Sequence, residues 1–197
     1  MAVFHLIRES SAWRTATRTV SAPRSFARGL LLLALVLGAI LRFQHLGTTD
    51  LSADEGASWA AASLSGVNQV VAMEHQLDPG KLPLYDLLLH GWIRVFGDGV
   101  DAMRAMSAAL GTIAIVLVFV AVCEVCRSLG GRAAAAIGEL AGGFAALAYA
   151  VNFMMVVSDR TARMYPLAMC AGLAPGCSFA TPMKVASITM TAAVVGS

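Results

Sequence analysis

The residues of this chain that could do chemistry fall into two short groups, far apart in sequence. The first is Ser52-Ala-Asp54-Glu55, two adjacent carboxylates at the head of a stretch with helical character. A carboxylate can take a proton from a hydroxyl, and it also complements the positive end of a helix, so Asp54 has two readings. Glu55 stands fourth in the S-x-x-E pattern of a capping box, a structural explanation beside any direct role. The second group is Asp159-Arg160-Thr-Ala-Arg163-Met-Tyr165. Arg163 can grip an anion such as phosphate through two parallel N–H groups, pair with Asp159, or anchor a helix at a bilayer edge. Arg160 shares a face with Arg163 if the helix continues. Tyr165 can donate to an anion or sit in an interfacial aromatic belt. Between the groups, Lys81 offers a compact point charge to an anion or to lipid headgroups.

Other reactive types carry less. Cys123 and Cys126 form one C-x-x-C, but zinc needs a second pair or histidines at ligand spacing, and neither follows. With Cys170 and Cys177 they read as small apolar residues in or beside membrane helices. His45, His75 and His90 have no metal spacing, and an interfacial position explains each.

The medium around these groups follows from composition. Of 197 residues, 58% are hydrophobic and 13% charged, against about 45–50% and 25% in soluble domains. So few charges cannot dress a water-exposed surface, and so much apolar content excludes disorder. Charge is also divided along the chain. Arg8, Arg14, Arg18, Arg24 and Arg28 precede the first apolar run, whereas eight of the twelve acids fall between Asp50 and Asp101. Basic flanks of spans stay cytoplasmic. A cytoplasmic tail over 1–25 is therefore expected, with the acidic stretch outside. No basic domain backs the arginines, so no nucleic-acid partner is expected.

Three spans and part of a fourth must position the two groups. The first has an uncharged core, 29–41, too short for a hydrocarbon layer of roughly 30 Å. Snorkelling by Arg28 and Arg42 extends it to about 26–46. No A-x-A site follows closely, so it reads as a retained span and not a signal peptide. The second, 105–123, is wholly uncharged and leads into a basic turn around Gly130-Gly131. The third, 133–157, is interrupted only by Glu139, and a fourth starts near 164, weakened by Pro166, Pro175 and Pro182. In the outer loop, 47–103, the capping box predicts a helix over 53–64. Leu84, Leu87, Leu88, Ile93 and Val95 predict a second over 81–96, lying along the membrane with Trp92 as interfacial anchor. Asp78-Pro79-Gly80 is the turn between them. Gly138-x-x-x-Gly142 predicts close helix contact within the bundle.

The order of these pieces resembles a known family. Asp54-Glu55 opens an outer-loop helix. It is followed by Lys81-Leu-Pro-Leu-Tyr-Asp-Leu-Leu-Leu-His-Gly-Trp-Ile-Arg-Val-Phe-Gly-Asp98 and, after the third span, by Ala162-Arg163-Met164-Tyr165. Over about 30–169 the chain resembles the N-terminal part of the dolichyl- or polyprenyl-phosphate-sugar-dependent glycosyltransferases of the GT-C type. These are related to protein O-mannosyltransferases and to the aminoarabinose transferase of lipid A.

The resemblance implies an all-α integral membrane protein, a truncated GT-C-like transmembrane helix bundle with amphipathic surface helices in the first extracytoplasmic loop. It implies a multi-pass protein of the cell membrane with its site on the extracytoplasmic face. There a sugar would pass from a polyprenyl-phosphate donor to a protein, lipid or glycan acceptor. Asp54 would be the general base and Glu55 its neighbour in the site, while Lys81, Arg163 and Tyr165 would hold the donor phosphate. Relatives often carry a glutamate where this chain has Thr161, so Asp159 is the candidate second acid, able to share a divalent cation with Asp54. The segment 170–197 departs from the family and is expected to reflect a truncated or frame-shifted reading of a longer gene. The rival expectation is a catalytically inactive membrane protein or a partner subunit.

Overall fold

The computed structural model describes residues 24–77, 82–128 and 132–174. Lys81, most of the basic tail and most of the atypical tail lie outside them. Eight helices follow one another, with no strand among the described residues: α1 (Arg24–Phe43), α2 (Ala53–Ala62), α3 (Val67–Leu77), α4 (Leu84–Phe96), α5 (Val100–Ser128), α6 (Arg132–Val151), α7 (Phe153–Asp159) and α8 (Tyr165–Leu173).

Three of them, α1, α5 and α6, are long and apolar enough to cross a membrane. The 20 residues of α1 make a rod of about 30 Å. They expose Leu32, Leu33, Val36 and Ile40, an outward face suited to lipid. Small residues set the packing. Gly38 of α1 lies so close to Ile115 and Ala150 that a Cβ would strike both. Gly138 and Gly142 of α6 meet Cys126, Cys123 and Phe119 of α5 in the same way, so the expected glycine motif is an intramolecular contact. Arg24 lies 3.6 Å from Glu139, and Gly143 meets Leu30 and Ala27. Early α1 therefore faces early α6 and the two run parallel. Late α5 faces early α6, so α5 runs antiparallel to both. Both ends of the α5–α6 turn thus share one end of the bundle with the start of α1, while the loop helices occupy the other.

Several boundaries differ from expectation. The second helix of membrane length begins at Val100, because Arg104, which interrupts the apolar count, is fully partnered by Glu55 of α2 and by carbonyls of the loop before it. The third span is two helices. Asn152 takes an extended conformation (φ −64°, ψ 120°) and its side chain accepts from Met155 N, so α7 restarts with its own cap. Arg42 does not snorkel; it is completely buried. The outer loop holds three helices, not two. The additional α3 buries only Val70 and Glu74, too thin an apolar signal to read. Nor is α4 merely laid on a surface. Tyr85, Asp86, Leu89 and His90 are buried, and Tyr85 and Leu89 share a core with Ala62, Met103, Met106 and Ala162. His90 bonds the Ala62 carbonyl through Nδ1 at 2.7 Å, so it is a core histidine. Trp92 turns its indole N–H inward, to Ala102 O at 2.7 Å. Gly97, at φ +90°, closes α4.

Candidate functional site

The site is built on Ser52. Its side chain accepts from Glu55 N at 3.3 Å, while its own N–H donates to Glu55 Oε2 at 3.0 Å, completing the expected capping box. This lock turns Glu55 inward and leaves Asp54, one residue earlier, largely exposed. Inside, Glu55 meets Arg104 of α5, whose Nε and Nη2 donate to Oε1 and Oε2, both at 2.9 Å. Ala162 N completes the set at 2.8 Å to Oε1. Each carboxylate oxygen therefore accepts two hydrogen bonds, and no lone pair remains for an acceptor hydroxyl. The geometry gives Glu55 a positioning task.

Arg104 reaches further. Its Nη1 donates to Leu46 O at 2.7 Å and Thr49 O at 2.9 Å, and its Nη2 to Asp50 O at 3.0 Å. One guanidinium thus ties the end of α1, the head of α2 and, through Glu55, the segment carrying Arg163. In sequence Arg104 is only the flank of an apolar run. An arginine between Met103 and Met106, facing an acid-bearing loop, was the available signal, since a cation buried in a helix needs a partner.

Burial would push the Glu55 carboxyl up, but hydrogen bonds from Arg104, Ser52 and Ala162 outweigh it and hold the group down, at about 2. A folded-state value below the ordinary 4.5 means stabilisation that is complete above that pH. It drains away as the pH falls from 4.5 towards 2. Thermal melts of the detergent-solubilised protein across this range should therefore show an acid-dependent loss that Glu55→Gln, already destabilised at neutral pH, lacks. Equal pH slopes for the two proteins would contradict it.

Above this clamp lies a small cavity of about 180 Å³, lined by Asp54, Ala57, Ser58, Glu74, Leu77, Arg163, Met164 and Tyr165. Arg163 Nη1 lies 3.0 Å from Asp54 Oδ2, and its guanidinium stands 5.3 Å from the Tyr165 ring centroid. Of the expected site residues, Asp54, Arg163 and Tyr165 are brought together here. The Arg163 backbone is held from two sides. Ala162 N is bound to Glu55, and Ser107 Oγ donates to Arg163 O at 3.4 Å. With its one proton so used, Ser107 takes the Tyr85 hydroxyl as donor at 3.0 Å.

The remaining candidates lie elsewhere. Lys81 is outside the described residues. Asp159 is absent from the cavity wall; it is buried against Gly111 and receives Arg42 Nε at 2.7 Å. The expectation that it joins Asp54 around a cation is thus not met by the geometry. Among the described residues, no three His, Cys, Asp or Glu side chains gather as a metal site would require. Arg160 does not share a helix face with Arg163, because α7 ends at Asp159 and Arg160 caps it, donating to Gln44 O at 2.9 Å.

Comparison with known protein families, curated proteins and solved structures gave no match. Fold and composition define an all-helical protein with the build of a multi-pass membrane protein. Its polar cavity is lined by α2, α3 and the segment between α7 and α8.

Proposed function

We propose that the chain is a membrane glycosyltransferase, or the N-terminal part of one. It would move a sugar from a polyprenyl-phosphate-linked donor to a protein, lipid or glycan acceptor on the extracytoplasmic side of the cell membrane. The observation that carries this reading is the convergence of Asp54, Arg163 and Tyr165 on one cavity, on a backbone clamped by Glu55, Arg104 and Ser107. In the reaction, the acceptor oxygen forms a bond to the anomeric carbon as its proton passes to Asp54. The bond from that carbon to the phosphate oxygen breaks, and its electron pair leaves on the phosphate. Arg163, with N–H groups beyond the one on Asp54, receives that charge, helped by Lys81 and the Tyr165 hydroxyl. Attack opposite the leaving group inverts the anomeric centre.

The test uses the full chain in liposomes with short-chain polyprenyl-phosphate hexoses and membrane-extract acceptors, reading the release of free polyprenyl phosphate. Asp54→Asn should lower release by at least about a thousandfold, within the range of losses when an essential catalytic group is removed, and leave membrane insertion intact. Retained release would remove Asp54 as the base.

A second reading rests on the cavity itself. At about 180 Å³ it is smaller than the roughly 300–1,000 Å³ of ordinary ligand pockets, and the paired Asp54 and Arg163 form part of its wall. On that reading the chain is a non-catalytic membrane protein or partner subunit. It would release no phosphate with any donor and would co-purify with an active relative.

A further inference from the structure

A larger cavity, about 660 Å³, is lined by Phe43, His45, Leu46, Gly47, Thr48, Trp92, Phe96, Asp101, Ala102 and Ala105. It has no part in the chemistry above. Its walls come from the last residue of α1, the loop after it, the end of α4 and the first turns of α5. Two membrane-length helices end at its rim, so it opens where apolar medium gives way to polar.

The two kinds of lining are segregated. On one side Trp92 and Phe96 stack with centroids 4.1 Å apart, the Trp92 ring fixed by its bond to Ala102 O. Phe43 and Phe96 stand exposed. Next to them α4 presents Leu84, Leu88 and Val95 outward, and Gly91 falls on the same stripe at helical spacing. No charge interrupts the stripe, and Phe43, at the end of α1, lines the same cavity as Trp92 and Phe96. On the other side Asp101 places its carboxylate directly over Gly47, where any Cβ would collide with it. No ion pair engages this carboxylate among the described residues. An acid beside aromatic faces attracts a cation, through charge and through the ring quadrupole. The apolar rim excludes a ligand that is polar throughout.

We propose that this notch binds an amine-bearing phospholipid, with its ammonium on Asp101 and the Trp92–Phe96 faces, its glycerol region at Thr48 and His45, and its acyl chains along Phe43 and the α1 surface. The lipid fits better than a second copy of the chain or a free amine. Among the described residues the acid forms no salt bridge, Arg104 acting on it only through space, and the adjoining α4 surface is apolar.

The full chain is purified in detergent and mixed with equal amounts of phosphatidylethanolamine, phosphatidylcholine and phosphatidylglycerol, and retained lipid is read by native mass spectrometry. Phosphatidylethanolamine should be retained several-fold over the other two. Asp101→Asn should remove about tenfold of that binding, as loss of one charge-assisted contact does. Phe96→Ser, at an exposed position with no core to disturb, should also reduce it and decides the matter if Asp101→Asn fails to fold. In parallel, a Trp13→Phe/Trp59→Phe protein reconstituted with brominated-chain lipid should show quenching of the remaining Trp92. Equal retention of the three lipids, preference for the anionic lipid, preference untouched by both variants, or Trp92 shielded by a second copy would each overturn the proposal.

Discussion

Arg104→Met is expected to cost about 3–5 kcal/mol of stability, the range for removing one partner of a buried ion pair. For a chain of this length that lowers the melting temperature by roughly 10 °C or more. The size follows from what is left behind. Glu55, about 1% exposed, would keep its charge without its counter-ion. The carbonyls of Leu46, Thr49 and Asp50 would lose their donor in the same step. Methionine fills most of the volume, so the loss is electrostatic and not a cavity. Because Glu55 also holds Ala162 N, the segment presenting Arg163 should loosen with it, and proteolysis should begin between α7 and α8 before the long helices are cut. Arg104→Lys keeps the charge but not the fork. One ammonium cannot span both carboxylate oxygens and three carbonyls, so most of the loss should persist. A melting temperature within a degree or two of the parent for either variant would show that this hub does not hold the loop.

The same hub marks where legibility in the sequence stops. The second span is legible because an uncharged run of membrane length leaves few alternatives, the first and third because their charges stand at or near their ends, and the α2 cap because S-x-x-E is a local pattern with a local cause. Residue type and motif single out Asp54, Arg163 and Tyr165 one by one, and nothing local says that they meet; the fold brings them to one cavity. What local patterns cannot carry is pairing at long range. Arg42 reads in sequence as an ordinary helix-end cation and Arg104 carries no signal of its partner, because a snorkelling arginine and a buried one are the same letter in the same place. Their partners lie in other elements, Asp159 and Glu55, and only the fold chooses between the two fates. The break at Asn152 was missed for a related reason. Asparagine is tolerated inside a helix, and only the fold shows its side chain capping α7.

That second pair carries the other large effect. Asp159→Asn should destabilise the protein by about 3–5 kcal/mol, since it leaves the Arg42 charge buried with a neutral amide. Arg42 also donates to Gly38 O at 3.2 Å and Ala150 O at 2.9 Å and stands 5.5 Å from the Tyr149 ring centroid. These contacts hold it in place but do not neutralise it. Within a membrane bundle such a cation has no water to turn to. Replacing both residues, as Arg42→Met with Asp159→Leu, removes both charges and should recover most of the stability, because buried pairs exchanged for apolar residues are often neutral. The double variant also separates two roles for Asp159. If the pair only fastens α1 to α7, recovered folding should bring back the polyprenyl phosphate release that the proposed function requires. If Asp159 acts in transfer, the double variant folds and stays inactive. Its burial away from the Asp54 cavity argues for the first outcome, and a stable but inactive double variant would overturn that argument.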